Sequence, residues 1–365
     1  MNAPQRHVMD AGSWSPRGRK NVFRVLDAWY VACLSSDLKK APLSRLVLGV
    51  PLCLWRQGDG RPAAVLDRCP HRNVPLSGGC VRDGHIECPY HGWRFDGAGK
   101  LKAVPGLPIV DGMKLDAPGR CTDAYDVVER DGFIFVWLST KKPLEEPFRI
   151  KQLDWRDGYF HFRRNMRVPG TLHSTIENIL DVPHTAFLHG GLFRTEEKKN
   201  EIEAVVTRRR DGVQACFLGE PRPEGLIGRV LSPSGGVVEH WDRFFLPSVA
   251  QVEYRIGPEN HILITSLCTP VTETETDIFT TISLRSRIPP PLLALIASPI
   301  VWRVLDQDKV ILQAQTELID RFGTERFTST PIDLLGPHIL HLLKKAEQGA
   351  LDEAVVREER TRIRT

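Results

Sequence analysis

The sequence predicts an α+β chain in two parts: an all-β N-terminal domain, then an α+β domain in which a curved antiparallel sheet packs on helices. Three observations carry this. Short β-rich runs separated by turn residues fill 29–138, and longer alternating segments fill 159–288. Two stretches of helical periodicity close the chain, from about Pro299 to Phe322 and from Pro337 to about Gln348. At roughly 150 residues per domain, 365 residues suffice for two domains, each with its own core.

The opening MNAPQRHVMDAGSWSPRGRK has no apolar run and is no signal peptide, so residues 1–26 are expected to form an N-terminal arm. Residues 27–140 are expected to form the all-β domain. WYVAC (29–33) and RLVLGVPLCLW (45–55) are rich in β-formers, and Gly58-Asp59-Gly60 marks a hairpin before AAVLD (63–67). HIEC (85–88), a turn at Asp96-Gly97 and the apolar strand GFIFVWL (132–138) close a small antiparallel barrel or sandwich. Lys141-Lys142-Pro143 and Glu145-Glu146-Pro147 make a polar connection, so the second domain is expected over 141–365. It opens with the strand YFHFRRNMRV (159–168) and a helix from about Thr171 to Leu188. Then come IEAVVTRRR (202–210), VQACFLG (213–219), RVLS (229–232), WDRFFLP (241–247), AQVEYRIG (250–257), HILITSLCTPV (261–271) and DIFTTISLRSRI (277–288). Pro289 to Pro291 end the sheet. A long helix against a large curved sheet implies a cavity, with Phe187, Phe193, Trp241, Phe244 and Tyr254 among its candidate walls.

Composition is that of a soluble globular chain, 41% hydrophobic and 26% charged. A balance of 49 basic against 45 acidic residues argues against nucleic-acid binding and electrostatic membrane steering. The most apolar stretch, Leu292 to Val301, is interrupted by Ser298-Pro299 and is too short to span a bilayer, so no transmembrane segment is expected. Of the eight cysteines, Cys33, Cys53, Cys80, Cys121, Cys216 and Cys268 lie scattered without a disulfide pattern. Free thiols in that number point to a reducing, cytoplasmic location.

Cys69-Pro-His71 and, sixteen residues on, Cys88-Pro-Tyr-His91 carry the first chemistry. Two thiolates and two imidazoles from a pair of C-x-H and C-x-x-H loops are the ligand set of a Rieske [2Fe–2S] centre, cysteines on one iron and histidines on the other. Zinc accepts the same ligand types, but zinc fingers group cysteines and histidines as separate pairs, whereas each arm here carries one of each. The loops resemble those of the Rieske superfamily. Val74 and Tyr90 stand where the respiratory type has two further, disulfide-forming cysteines, which groups this chain with the oxygenases and Rieske ferredoxins. A ferredoxin would end with the first domain; this chain does not.

A second constellation stands on the predicted helix: Asn178-x-x-Asp181-x-x-His184-x-x-x-x-His189. At about 100° per residue these positions share one helix face. Two imidazoles and one carboxylate form the facial triad of non-haem Fe(II) oxygenases, although a His pair on a helix can equally be structural. The late helix offers Asp306 and Asp308 as the carboxylate. Asp308 shares a stripe with Val304, Leu305, Ile311, Leu312 and Gln315, whereas Asp306 lies about 200° away, toward solvent. A carboxylate on a buried stripe is costly unless paired or metal-bound, which favours Asp308, with a capping or salt-bridging acid as the rival reading.

From about residue 27 to 320 the chain resembles the α-subunit of the Rieske non-haem iron oxygenases, the aromatic ring-hydroxylating oxygenase family. The family's second motif resembles E-N-x-x-D-x-x-H-x-x-x-x-H, which stands here from Glu177 to His189. The resemblance implies a helix-grip catalytic domain, a cluster on Cys69, His71, Cys88 and His91, and a mononuclear Fe(II) on His184, His189 and Asp308. It places Asn178 near the metal and makes Asp181 a bridge between His184 and His91 of a neighbouring subunit in a head-to-tail homotrimer. Gln313 stands where the family usually has a Glu, and Pro183 is expected to kink the helix.

The expected function is that of a terminal oxygenase, using O₂ to hydroxylate or demethylate an apolar, aromatic or polycyclic small molecule. Cis-dihydroxylation and desaturation are alternatives on the same scaffold; a Rieske electron carrier or redox sensor is the alternative of a different class. The chain has neither a dinucleotide-binding Gly-rich fingerprint after a strand nor the cysteine spacing of plant-type ferredoxins. Electrons from NAD(P)H must then arrive through a separate reductase, with or without a ferredoxin, and Arg72, Arg82 and Arg94 are a candidate docking rim.

Overall fold

The structure, a computed structural model, describes residues 21–108, 113–189, 201–221, 237–257, 260–286, 289–351 and 356–364. The first twenty residues of the expected arm, the segment RVLS and Phe193 lie outside the described residues. Two compact units emerge, one from Leu26 to Arg149 and one from Ile150 onward, the second also including residues 21–25. Backbone amides of Asn21 and Arg24 donate to Glu325 and Glu347, which attaches this short segment to the second unit.

The first unit is wholly antiparallel. Its larger sheet has the order β1-β10-β9-β4-β3-β2, built from β1 (Trp29–Leu34), β2 (Leu43–Val47), β3 (Val50–Arg56), β4 (Pro62–Leu66), β9 (Ala124–Arg130) and β10 (Phe133–Trp137). The smaller sheet runs β5 (Cys80–Arg82), β6 (His85–Glu87), β7 (Arg94–Phe95), β8 (Leu101–Ala103) in order. The β-rich run 45–55 is divided into a hairpin at Leu48-Gly49, whose φ values of 50° and 77° are those of a two-residue turn matched to strand twist. Trp55, Leu76, Ile86 and Phe95 form a buried core that also includes Cys69 and Cys88. The polar connection stays with this unit: Trp29 Nε1 donates to Glu145 O at 2.7 Å and Arg130 Nη1 to Pro147 O at 2.8 Å.

The second unit is an eight-stranded antiparallel sheet of order β11-β17-β16-β15-β14-β13-β12-β18. Its strands are β11 (Phe160–Pro169), β12 (Glu201–Arg208), β13 (Gly212–Pro221), β14 (Val237–Phe245), β15 (Val249–Ile256), β16 (Asn260–Pro270), β17 (Glu275–Arg285) and β18 (Arg357–Arg364). Among the described residues, four helices accompany it: α1 (Leu172–Leu180), α2 (His184–Phe187), α3 (Pro290–Phe322) and α4 (Gly336–Glu347). Phe162, Val238, Tyr254, Ile262 and Ile282 lie on one face of the sheet and pack with Val301 of α3, which fixes the helix-covered side.

Two helical elements differ from expectation. The helix expected from Thr171 to Leu188 is divided: Asp181 adopts extended backbone (φ −86°, ψ 107°), and a separate turn restarts at His184. Pro183 has no amide hydrogen, and its ring disfavours helical backbone at the residue before it, so the outcome is a break where a kink was expected. The four motif residues therefore do not lie on one continuous helix face. Conversely, α3 starts at Pro290, nine residues before Pro299. Prolines 290 and 291 occupy the first turn, where amides lack intrahelical partners anyway, and Pro299 is carried inside the helix.

Candidate metal centres

The turn after β4 and the turn between β6 and β7 carry the first four candidate sulfur and nitrogen donors, Cys69, His71, Cys88 and His91. Cys69 N donates to Val74 O and Cys88 N to Trp93 O, at 2.9 and 2.8 Å, so each cysteine is clamped by its own loop. Gly92 is required here: its φ is 67° and a Cβ would lie 2.7 Å from Pro105 Cγ. Both cysteines are buried, with exposures of 1% and 3%, while His91 is exposed and His71 stacks flat on Trp93 at 4.6 Å. Burial, above all, pushes the Cys69 thiol up to about 11, a state that coordination to iron reverses by deprotonating the sulfur. Among the described residues His71 Nδ1 is buried without a hydrogen-bond partner, as expected of an atom reserved for a metal. The donor set and this orphaned nitrogen fit a [2Fe–2S] cluster. Around the loops, Arg94 pairs with Glu87 at 2.6 Å and Arg82 with the same carboxylate at 3.5 Å.

The second centre assembles at the break between α1 and α2. Because the chain re-enters helix at His184, the imidazoles of His184 and His189 approach with their Nε2 atoms 3.2 Å apart. Asp308 Oδ1, from α3, lies 3.5 Å from the first and 3.1 Å from the second. Among the described residues this is the only His/Cys/Asp/Glu group of three whose ligand atoms all lie within 4.8 Å. A divalent first-row ion with bonds of about 2.1 Å holds cis ligands about 3 Å apart, so the spacing fits one such ion. Three electron-rich atoms aimed at one point are otherwise unfavourable. Asp308 Oδ1 and Asn178 Oδ1 are both buried without a hydrogen bond among the described residues, which places unsatisfied acceptors around that point.

Asp181 sits on the other side of His184, its Oδ2 3.4 Å from Nδ1. Burial opposes the charged form of His184, but Asp181 and Asp308 outweigh it and raise this imidazole to about 9. Burial would raise Asp308; the His184 and His189 imidazoles beside its Oδ1 hold it below the usual carboxylate range. Asp306 is 60% exposed and pairs with Arg164 at 2.5 Å, whereas Asp308 is 15% exposed and lies beside the two imidazoles. Gln313 is exposed and donates to its helical neighbour Glu317. Glu177 lines a small cavity of about 70 Å³ together with Asp181 and Asp333. Burial, then the charges of Asp181, Asp333 and Glu325, raise it to about 7.

Two features escaped the sequence reading. Gln307 Oε1 lies 3.0 Å from His189 Nδ1, a contact that only the helix register of α3 reveals. On the helix-covered face of the sheet, His240 is held between Glu220 (2.7 Å) and Asp242 (3.1 Å) and between the rings of Phe217 and Tyr254. Of the candidate cavity walls, Phe244 is fully buried on this face, whereas Phe187 is 74% exposed.

One unit built around a pair of Cys/His loops, and a second with a two-histidine, one-carboxylate centre, define the class: an iron-dependent oxygenase fed by a Rieske cluster. Residues 28–114 match the family described as Rieske [2Fe-2S] domain, and residues 169–348 the one described as vanillate O-demethylase oxygenase C-terminal domain. The oxygenase component of dicamba O-demethylase from Stenotrophomonas maltophilia is 30% identical over 311 residues, spanning 80% of this chain and 87% of that protein. The vanillate O-demethylase oxygenase subunit of Pseudomonas sp. (strain HR199 / DSM 7063) is 36% identical over 194 residues, 51% of this chain and 50% of that one. The crystal structure of dicamba monooxygenase with non-heme iron and dicamba is similar at a TM-score of 0.66 and 26% identity, covering 90% of this chain and 98% of that chain. The chain belongs to the Rieske non-haem iron oxygenases. It is an oxidoreductase of the monooxygenase type, with a [2Fe–2S] cluster and a mononuclear iron as cofactors, and it depends on a reductase or ferredoxin partner. No helix among the described residues is long and apolar enough to cross a membrane.

Proposed function

We propose that Cys69, His71, Cys88 and His91 hold the cluster, and that His184, His189 and Asp308 hold the mononuclear Fe(II). On this reading the enzyme hydroxylates or demethylates an apolar, aromatic small molecule bound between the sheet and α3. The observation that carries the reading is the convergence of two Nε2 atoms and one carboxylate oxygen within 3.1–3.5 Å. When bound, the iron supplies open positions for dioxygen. The residues do the rest: Asp308 neutralises one charge of the ion, and Asp181 faces His184 Nδ1 and so aims Nε2 inward. Asp181 also bridges to His91 of a neighbouring copy in a homotrimer, and the enzyme works in the cytoplasm. Support for the bridge is that His91 is exposed and Asp181 is 30% accessible, so both can reach a surface.

The test is reconstitution with a generic reductase and NADH, following substrate-dependent O₂ uptake and product mass across a panel of aromatic ethers, amines and phenols. Substrate-dependent uptake with three irons per chain is expected. Two irons per chain and no uptake would favour the electron-carrier alternative. Asp181→Asn should retain both metal centres, by iron content and cluster absorption, while turnover falls at least about a hundredfold. Wild-type turnover in that iron-replete variant removes the bridge.

A further inference from the structure

The two imidazoles of the mononuclear centre are held from behind by different chemistry. His184 Nδ1 faces a carboxylate, Asp181, at 3.4 Å, while His189 Nδ1 faces a neutral amide, Gln307 Oε1, at 3.0 Å. His189 is 1% exposed, and its Nε2 is the atom that converges with His184 and Asp308. That Nε2 carries a lone pair toward a metal only if Nδ1 holds the proton, which requires an acceptor behind it. Gln307 supplies the acceptor through its carbonyl oxygen. It directly precedes Asp308 in α3, so one helical turn delivers both a ligand and the support of another ligand.

We infer that Gln307 is the positioning residue of His189, fixing its tautomer while keeping the centre electrically neutral. The inference rests on the reading of His184, His189 and Asp308 as the iron ligands. The charge count is simple: a divalent ion contributes +2 and Asp308 and Asp181 contribute −1 each, which sums to zero. A glutamate at 307 would make the same hydrogen bond but leave the centre at −1. A buried net charge is costly, so an amide is the group that orients without adding charge. The back of this arrangement is reachable. Gln307 lines an open groove of about 540 Å³ with Leu188, Trp302 and Val310, so a small residue at 307 would admit a water that could take over as acceptor. The informative substitution must therefore remove the acceptor and exclude water together.

Gln307→Leu does so. The experiment strips the mononuclear iron from purified protein, verifies the cluster by its visible absorption, and titrates with Fe(II) against a chromophoric chelator and with Co(II) alone. Gln307→Leu should bind Fe(II) about 10–100-fold more weakly and alter the Co(II) ligand-field bands, with cluster absorption and melting temperature unchanged. Gln307→Glu should bind at least as tightly as wild type and lower the iron reduction potential, which covers the case of a Leu variant that does not fold. Wild-type affinity in Gln307→Leu, or equal weakening in both variants, overturns the inference. Failure of the wild-type protein itself to take up Fe(II) would instead sink the assignment of the iron ligands.

Discussion

His184 and His240 are both raised to about 9 by two carboxylates against the opposing effect of burial, yet they stand in opposite situations. His240 donates from each nitrogen to a separate acid, Glu220 at 2.7 Å and Asp242 at 3.1 Å, so every polar atom of the ring is satisfied by protein. Phe217 and Tyr254 stack on its two faces at 4.4 and 4.2 Å, which leaves no approach to the ring. At His184 the pattern is convergent. Its Nε2 meets another imidazole nitrogen and a carboxylate oxygen, and among the described residues the nearby Asn178 Oδ1 and Asp308 Oδ1 have no hydrogen-bond donor. A perturbed pKa therefore does not distinguish a functional histidine from a structural one. The direction in which lone pairs point does: outward to separate partners in an ion-pair clamp, inward to a common centre in a metal site.

The largest test of that distinction compares two aspartates on one helix. Asp308→Ala should abolish iron binding at the mononuclear site and turnover with it, leaving cluster absorption intact, as measured by metal analysis and O₂ uptake. Asp306→Ala, two residues away, removes only an ion pair with Arg164 in which the acid is 60% exposed, and should change stability by no more than about 1 kcal/mol with iron and activity retained. Equal loss of iron in both would mean that the buried stripe of α3 has been misread.

The structural histidine should fail differently. His240→Leu leaves Glu220 and Asp242, 7% and 1% exposed, without the imidazolium between them. Removing one member of a buried ion pair costs about 3–5 kcal/mol, so urea denaturation should show a loss of that order. Protein recovered at low temperature should still bind iron with wild-type affinity. Loss of iron at unchanged stability would reverse the roles assigned to the two histidines.

What the sequence disclosed follows the range of the interactions involved. The proposed cluster ligands and His184, His189 and Asp181 lie within short motifs, and periodicity, a local property, could set Asp308 apart from Asp306. Domain order and most strands were legible for the same reason. His240 was not, because its clamp exists only in register: Phe217, His240 and Tyr254 are opposite one another across β13, β14 and β15. Gln307 likewise meets His189 only after α3 has docked. Strand β18, REERTRIR, has no apolar alternation to announce it; it is held by its ladder to β12 and by exposed pairs such as Arg360–Glu203. The break at Asp181 was half visible, since Pro183 signals an interruption while the extended backbone at Asp181, which decides between kink and break, does not.

The smallest effect is also the one that isolates His240 in solution. Its folded-state value of about 9 lies above the unfolded value of about 6.5, because the two acids outweigh burial. A raised imidazole contributes stability that is fully present below pH about 6.5 and is lost as pH rises through about 9, with a slope near 1.4 kcal/mol per unit where only the folded state holds the proton. Glu177, raised to about 7 chiefly by burial, gives up its contribution as pH climbs from about 4.3 through about 7, and the remaining groups act further from the His240 window. Glu253, which burial would raise but His261 and Arg243 bring down to about 2, loses its contribution below pH about 4.3. Thiols raised by burial, such as Cys33 and Cys268 at about 12, draw stability down only once unfolded thiols ionise, above pH about 8.5. Urea midpoints from pH about 7.5 to about 8.5, above the value of Glu177 and measured on iron-loaded protein so that His184 is committed to metal, should fall for wild type and stay flat for His240→Leu. A wild-type profile that is flat over that window would show that His240 is neutral in the folded enzyme, and that the clamp is a pair of ordinary hydrogen bonds in place of an ion triad.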